Sequence, residues 1–189
     1  LPFLGAGYDH KQGKYKETVY RGLRFLIGSM NVDKTGGNLV DGGNFYSQGV
    51  ATIALTEAYG MTRDRDLNVP AQMALNYIIA NQDPKMGGWG YQGPGKDTSI
   101  GGWQIMALKS GDMAYLQVPP RTFLGVHVFL NSVGERGQYG LSFYGYNAPG
   151  KKPSTTAIGL LSRMCLGWKQ ENPALAEGIG FISQLGPNE

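Results

Sequence analysis

The segment best suited to chemistry is Lys96-Asp97-Thr98-Ser99, which joins a glycine-rich stretch to a run with apolar residues at helical spacing. We expect Asp97 to stand immediately before a helix, where an aspartate accepts hydrogen bonds from the first free amides. Helix N-termini also attract anionic and polar ligands. Asp97 and Thr98 are therefore candidate ligand-binding residues, with capping as the favoured role.

Capping is favoured further by hydroxyl residues at similar places elsewhere in the chain. Ser47 and Thr155 each stand near the expected start of another helix. Serine, threonine and aspartate share a strong preference for the N-cap position. We expect all three segments to begin their helices in this way.

Few residues are available for metal or nucleophile chemistry. The chain has one cysteine, Cys165, and two histidines, His10 and His127. That set is too small for a Cys/His zinc site and allows no internal disulfide. We expect a solvated His10 in a polar loop, a partly buried packing role for His127, and a small buried hydrophobe at Cys165. We expect no catalytic residue, no metal and no cofactor.

A Gly-x-Gly-x-x-Gly pattern occurs at residues 88–93. Its dinucleotide role requires a strand before it and a helix after it. Here a helical pattern precedes the glycines and Pro94 follows them. We interpret the segment as a repeat loop in which the indole of Trp89 packs over a helix end.

Aromatic side chains are concentrated in or beside the glycine-rich stretches. They could line an apolar pocket, stack on sugar rings or bridge adjacent repeats, and bridging is the favoured role. This group comprises Tyr46, Trp89, Tyr91, Trp103, Tyr139, Phe143, Tyr144 and Tyr146. The candidate ligand-binding residues are Asp97, Thr98, Trp89, Tyr91, Trp103, Gln104 and Tyr46.

These residues must be positioned by repeated elements, because shifting the 189-residue chain by 52 residues aligns it with itself. The aligned aromatic residues are Phe25, Tyr77, Phe129 and Phe181. Each lies in a segment with apolar residues at helical spacing, which we interpret as the first helix of a unit. Prolines are expected in the first turn of three of these helices, at Pro70, Pro120 and Pro173.

A second helix is predicted in each unit, and these second helices should form the inner, most buried layer. Their expected spans are Phe45 to Tyr59, Ser99 to Gly111 and Ser154 to Gly167. Much of the excess of 30 glycines falls in connections expected to lack regular structure, at 31–44, 82–98 and 133–153.

The sequence predicts seven helices in a single all-α repeat domain spanning residues 1–189. Its units fall at about 16–60, 70–116 and 120–168, with a partial unit at 173–189. Leu1 to Tyr15 is interpreted as the tail of an earlier unit. We expect the chain to be part of a larger array whose end helices expose apolar faces and favour self-association.

The charge and hydropathy of the sequence argue against nucleic-acid and membrane-spanning roles. The 17 basic and 14 acidic residues give a net charge of +3 without the dense basic block of a nucleic-acid-binding surface. No apolar run reaches the roughly 18 residues of a transmembrane helix. Because the chain begins with Leu1 rather than methionine, we expect a trimmed or processed N-terminus, and the compartment, including a lost secretion signal, stays open.

One stretch of the second unit resembles a known repeat. Gln82, Gly87-Gly88-Trp89 and Asp97-Thr98 with Trp103 resemble the Gln-Trp repeats of squalene-hopene cyclases and protein prenyltransferase β subunits. The similarity is closest to uncharacterised bacterial proteins with prenyltransferase and squalene oxidase repeats. The resemblance implies an α/α-toroid, a ring of helical hairpins with the second helices inside.

The catalytic residues of those families are not matched. In the cyclases an Asp-x-Asp-Asp-Thr stretch supplies the acid that protonates the polyene, but Lys96 occupies the position of that acid here. In the prenyltransferases an Asp-x-Cys stretch binds zinc, but Ser99 replaces the cysteine. A lysine ammonium is too weak an acid for an alkene, and serine is a poor zinc ligand.

The leading hypothesis is therefore a non-catalytic binding or scaffold module of this repeat type. The alternative is an enzyme acting on an isoprenoid or other lipid, and a third hypothesis is carbohydrate binding or cleavage. The expected partner is a hydrophobic small molecule or another protein. Fold alone does not decide between these hypotheses. The surroundings of Asp97 distinguish a scaffold from an enzyme, because in a scaffold the Asp97 carboxylate should be occupied by hydrogen bonds from backbone amides.

Overall fold

The computed structural model describes residues 1–184 and 186. In that part of the chain the structure is mostly helical, with eight helices and three short antiparallel strand pairs. The elements are α1 (Pro2–Gly5), α2 (Lys16–Gly28), β1 (Asn31–Asp33), β2 (Gly36–Asn38), α3 (Phe45–Thr62), α4 (Arg65–Ala80), β3 (Trp89–Gly90), β4 (Gly93–Pro94), α5 (Thr98–Met113), α6 (Pro120–Val133), β5 (Gly134–Gly137), β6 (Gly140–Tyr144), α7 (Pro153–Cys165) and α8 (Pro173–Ser183).

The seven predicted helices correspond to α2 to α8, and α1 is an additional single turn. Pro120 and Pro173 begin α6 and α8 as expected. The expectation for Pro70 was wrong, because α4 begins five residues earlier, after the N-cap Asp64, and Pro70 lies inside the helix. The Asp64 carboxylate accepts a hydrogen bond from the Asp66 amide, so a local cap sets the start of this helix rather than the proline.

The three glycine-rich connections are not irregular loops, and the all-α prediction needs this correction. Each connection contains a β-hairpin, β1–β2, β3–β4 and β5–β6. The second strand of each hairpin begins at a glycine with φ between 131° and 137°, namely Gly36, Gly93 and Gly140. Residues other than glycine rarely adopt this backbone conformation. The excess glycines therefore mark hairpin turns.

Contacts divide the chain into two compact units. Unit 1 comprises residues 1–81 and 106–119, and unit 2 comprises residues 82–105 and 120–189. The helix α5 is therefore shared, with its first half in unit 2 and its second half in unit 1.

Burial is greatest in the second helix of a pair. In unit 1, α3 buries residues on every side, from Phe45 to Ala58, whereas α2 buries only Val19 and Leu23. In unit 2 the largest buried side chains include Trp89, Phe129 and Tyr144, and the Phe129 ring lies against Gly101 of α5 while the Tyr144 ring lies against Gly159 of α7. This packing fixes the N-terminus of α5, where the candidate residues lie.

Candidate functional site

The Asp97 carboxylate caps α5. Its Oδ1 accepts hydrogen bonds from the Ser99 amide at 2.8 Å, the Ile100 amide at 3.1 Å and the Ser99 hydroxyl at 2.7 Å. The Asp97 amide in turn donates to the carbonyl of Trp89 in β3 at 2.9 Å. Asp97 is only 6% exposed. The predicted capping role is confirmed.

Thr98 anchors the segment that follows β6. Its hydroxyl lies 2.8 Å from the carbonyls of both Gly145 and Tyr146, and its amide donates to the Tyr146 carbonyl at 2.9 Å. Thr98 is fully buried. Its polar atoms therefore hold the backbone near Tyr146 against the start of α5.

Tyr146 completes the coordination of the carboxylate. Its hydroxyl donates to Asp97 Oδ2, and the Tyr91 hydroxyl lies 3.3 Å from it. The hydrogen bond to Asp97, followed by that to Tyr91 and by burial, raises the pKa of Tyr146 well above its usual value. Since the single hydroxyl hydrogen of Tyr146 is directed to the carboxylate, the Tyr146 oxygen is placed to accept from Tyr91.

A short polar chain therefore leads from the surface to the helix cap. Tyr91 is 46% exposed, Tyr146 is half-buried and Asp97 is buried. Both carboxylate oxygens accept hydrogen bonds from the protein itself. The arrangement can stiffen the junction of β4, α5 and the segment after β6, and it presents a phenol to solvent.

The structure brings together four of the seven candidate residues, Trp89, Tyr91, Asp97 and Thr98. Trp89 is fully buried, so its ring lies in the core of unit 2. A sugar ring therefore has no access to the face of this indole. Trp103 and Gln104 lie further along α5, Trp103 half-buried and Gln104 fully buried. The side-chain Nε2 of Gln104 donates to the Ile100 carbonyl at 3.3 Å.

Tyr46 belongs to unit 1, in the first turn of α3, and is half-buried. Its amide donates to Asn44 Oδ1 at 2.9 Å, so Asn44 caps this helix and the expectation for Ser47 was wrong. Thr155 does not cap α7 either. Its hydroxyl donates to the Tyr144 carbonyl at 2.6 Å, because β6 lies alongside the first turn of α7.

His10 is buried, which corrects the expectation of a solvated residue. Its Nε2 lies 2.7 Å from Asp64 Oδ2, and Lys11 Nζ lies 2.5 Å from the same oxygen. The hydrogen bonds from Lys11 and then His10 lower the pKa of Asp64 to about 2. Sequence reasoning missed this cluster because Asp64 follows His10 by 54 positions and no local pattern links them.

His127 is half-buried, in agreement with its predicted packing role. Its Nδ1 lies 3.4 Å from Arg163 Nη1, and burial followed by the Arg163 charge lowers the pKa of His127. The buried Arg163 also donates to Tyr144 Oη at 3.0 Å and to Asn131 Oδ1 at 2.6 Å. Cys165 is half-exposed rather than buried, which corrects the expectation for this residue.

Unit 1 holds an open apolar pocket of about 590 Å³. It lies between α1, α2 and α3, beside the segment that follows β2. Its walls include Leu1, Pro2, Phe25, Leu26, Leu39 and Val50. The size lies within the range of small-molecule sites, and the walls suit an apolar ligand.

Neither a metal centre nor a membrane-spanning helix is found in residues 1–184 and 186. No three His, Cys, Asp or Glu side chains converge there as a metal site would require. None of the helices described combines the length and the apolar composition needed to cross a bilayer.

No protein-family model, curated protein or solved structure matches the chain.

Proposed function

We propose that this protein is a non-catalytic binding or scaffold module built from helix–hairpin–helix repeats of the prenyltransferase and squalene-cyclase type. The observation that carries the proposal is the commitment of the Asp97 carboxylate. Its two oxygens accept from the first turn of α5 and from Tyr146. A group that holds its own helix start in this way is poorly placed to act as a general acid.

The experiment is a turnover assay with farnesyl diphosphate and with squalene, substrates of the classes used by the families that the sequence resembles. Products are detected by mass spectrometry after incubation with wild-type protein, with Asp97→Asn and with heat-denatured protein. The proposal predicts equal, background levels of product in all three. Product formation by the wild type that Asp97→Asn abolishes would overturn it.

An apolar small molecule is the second candidate for the bound partner, and the pocket of unit 1 favours it. Ala54 lies in the pocket wall and is half-buried, so Ala54→Trp would fill the space without adding charge. Native mass spectrometry of protein expressed in an isoprenoid-producing host should reveal a lipid adduct that this variant lacks. An adduct that persists in Ala54→Trp would place the lipid elsewhere.

A further inference from the structure

Arg163 of α7 is a buried cation in unit 2, where it is only 3% exposed. A guanidinium stays charged at every pH at which a protein is folded. Burying a charge is costly unless an opposite charge compensates for it. Within residues 1–184 and 186, however, no carboxylate lies at ion-pair distance from Arg163. The described part of the chain therefore leaves this positive charge without a counter-charge.

Neutral groups hold the guanidinium instead. Its Nε donates to Tyr144 Oη at 3.0 Å, its Nη2 donates to Asn131 Oδ1 at 2.6 Å, and its Nη1 lies 3.4 Å from His127 Nδ1. The ring of Trp168 lies 5.3 Å from its Cζ, close enough for a cation–π interaction. A guanidinium carries five N–H donors. Two of them therefore have no acceptor among the residues that the structure describes.

The neighbours of Arg163 have only donors left to offer a ligand. Because Nδ1 of His127 faces a donor, the hydrogen of the neutral ring is on Nε2. The carbonyl oxygen of Asn131 is occupied by Arg163, which leaves the two N–H groups of its amide. The Tyr144 hydroxyl accepts from Arg163 and donates to the Leu141 carbonyl at 3.1 Å, so it is satisfied. The cluster combines free donors with a positive charge, as a site for an anion requires.

The repeat does not require a cation at this place. The 53-residue offset of the second helices places Ser110 at the position of Arg163, and the 52-residue offset of the first helices places Leu75 at the position of His127. In unit 1, Leu75 is fully buried and lies against Gly111 of α5. Apolar packing therefore builds the equivalent place there. A buried charge is a poor substitute for such packing in stability terms, which points to a role for Arg163 other than packing.

We propose that Arg163, His127 and Asn131 form a binding site for the carboxylate of a small organic acid. A carboxylate offers one oxygen to each of the two free N–H donors of Arg163. Its single negative charge matches the single positive charge of the site, whereas a phosphate ester near −2 would leave an excess charge buried. Asn131 is exposed, so the guanidinium lies one side chain below the surface. This site goes beyond the function proposed above, since none of its residues belongs to the Asp97 cap.

The His127 ring reports the charge of the site. Burial, followed by the positive charge of Arg163, lowers the pKa of His127. A carboxylate bound to Arg163 offsets that positive charge, so the pKa of His127 should rise when the site is occupied. A packing role for these residues predicts no change of this pKa with added ligand.

The test is an NMR titration of isotope-labelled full-length protein with sodium acetate at neutral pH, with the ionic strength held constant by sodium chloride. The side-chain signals of Arg163, Asn131 and His127 are followed to about 50 mM acetate, because a single charge-assisted contact supports only weak binding. We expect saturable shifts with acetate and a raised pKa of His127 at saturation. Acetamide, the neutral isostere, should cause no shifts, and inorganic phosphate should bind several-fold more weakly than acetate.

Matched variants sharpen the result. Asn131→Asp places a carboxylate beside Nη2 of Arg163, so the protein itself supplies the charge that the ligand would bring. Acetate should then bind about tenfold more weakly or worse, and the pKa of His127 should rise without ligand. Asn147→Asp makes the same charge change at an exposed asparagine of unit 2 that has no hydrogen bond to Arg163, and it should alter neither quantity. Neither variant removes a buried side chain, so both should fold.

Four outcomes would overturn the proposal. They are the absence of saturable shifts with acetate, equal shifts with acetamide, equal acetate binding by Asn131→Asp and wild type, and tighter binding of phosphate than of acetate. Each leaves the turnover assay unaffected, since that assay reads product formation and concerns Asp97.

Discussion

At the scale of single residues, Asp97 gathers more interactions than any other candidate. Its carboxylate caps α5 and accepts from Tyr146, so its removal leaves both the helix amides and a half-buried phenol without their acceptor. We expect Asp97→Ala to lower the free energy of unfolding by about 2–3 kcal/mol, combining a lost cap with an unsatisfied hydroxyl.

Urea denaturation monitored by far-UV circular dichroism measures this loss. Asp97→Asn is the control, because asparagine is also a good N-cap residue and its NH2 group, in the place of Oδ2, can donate to the Tyr146 oxygen. Its cost should stay below about 1 kcal/mol. Equal stability of Asp97→Ala and wild type would contradict the capping assignment.

The Asp64 cluster gives a pH-dependent prediction. Lys11 and His10 hold the pKa of Asp64 at about 2, below its usual 3.8, so the folded state binds this proton more weakly than the unfolded state. The stabilisation is present above pH 4 and is lost as the pH falls toward 2. Asp64→Asn should cost about 1–2 kcal/mol at pH 6, with allowance for partial exposure, and this difference should shrink between pH 4 and pH 2.

Thermal unfolding of both proteins across that range tests the linkage. Asparagine still caps α4, so the comparison isolates the interactions with Lys11 and His10. Asp66→Asn, the same substitution at an exposed neighbouring position, is the matched control. A constant gap between wild type and Asp64→Asn from pH 6 to pH 2 would rule out the ion pair as its source.

These residues also show what sequence could predict. The Asp97 cap could be predicted from the sequence because its hydrogen-bond donors lie two and three positions away along the chain. The contacts of Asp97 with Tyr146 and of His10 with Asp64 join residues 49 and 54 positions apart. Such contacts depend on how the helices pack, which local propensity does not encode.

At the scale of elements, the hairpin contacts give glycines of the same helix opposite roles. In α8, Gly178 touches Ser142 and Leu160, whereas Gly180 has open space around it. Gly178→Ala should destabilise the protein by about 1–3 kcal/mol through overpacking. Gly180→Ala should stabilise it by about 0.5–1 kcal/mol, because alanine has the higher helix propensity.

The two variants differ only in which glycine of one helix gains a methyl group. Chemical denaturation of both beside the wild type measures the two changes, and opposite signs are expected. Destabilisation of similar size in both variants would show that the hairpin contact is not the cause.

The helices could be predicted and the strands could not. Apolar spacing over ten or more residues marks a helix, as in α2, α4 and α6, whereas α3 buries residues on every side and was predicted from its equivalent place in the repeat. The strands have two to five residues, too few for an alternating pattern to emerge. Their signal lay in the glycines that begin β2, β4 and β6, and these became recognisable only once their φ values were known.

At the scale of the whole molecule, α5 contributes residues to both units. Because a helix loses its ladder of hydrogen bonds cooperatively, we expect the two units to unfold in one transition. All three tryptophans, Trp89, Trp103 and Trp168, lie in unit 2. Asp64→Asn, a change in unit 1, should therefore shift the fluorescence midpoint as far as the midpoint of far-UV circular dichroism.

Non-coincident transitions in that variant would show that the units unfold independently. The matching control is Asp97→Ala in unit 2, for which the two probes should also agree.

The 52-residue period was the most informative property of the whole sequence, because it identifies equivalent positions on α2, α4, α6 and α8. It could not show which surfaces are covered. Phe25 and Phe129 occupy equivalent positions, yet Phe25 is largely exposed and Phe129 fully buried. The difference depends on whether a hairpin is present, which only the structure reveals.

The contact between each hairpin and a later helix has a consequence for synthesis on the ribosome. Gly36 must be made 41 residues before Tyr77, the residue of α4 that it packs against. At roughly 5–20 residues per second the first hairpin waits about 2–8 seconds for its support. During that interval its strand edges and the apolar face of α3 are open to other chains. Translation speed over residues 37–77 should therefore influence the yield of soluble protein.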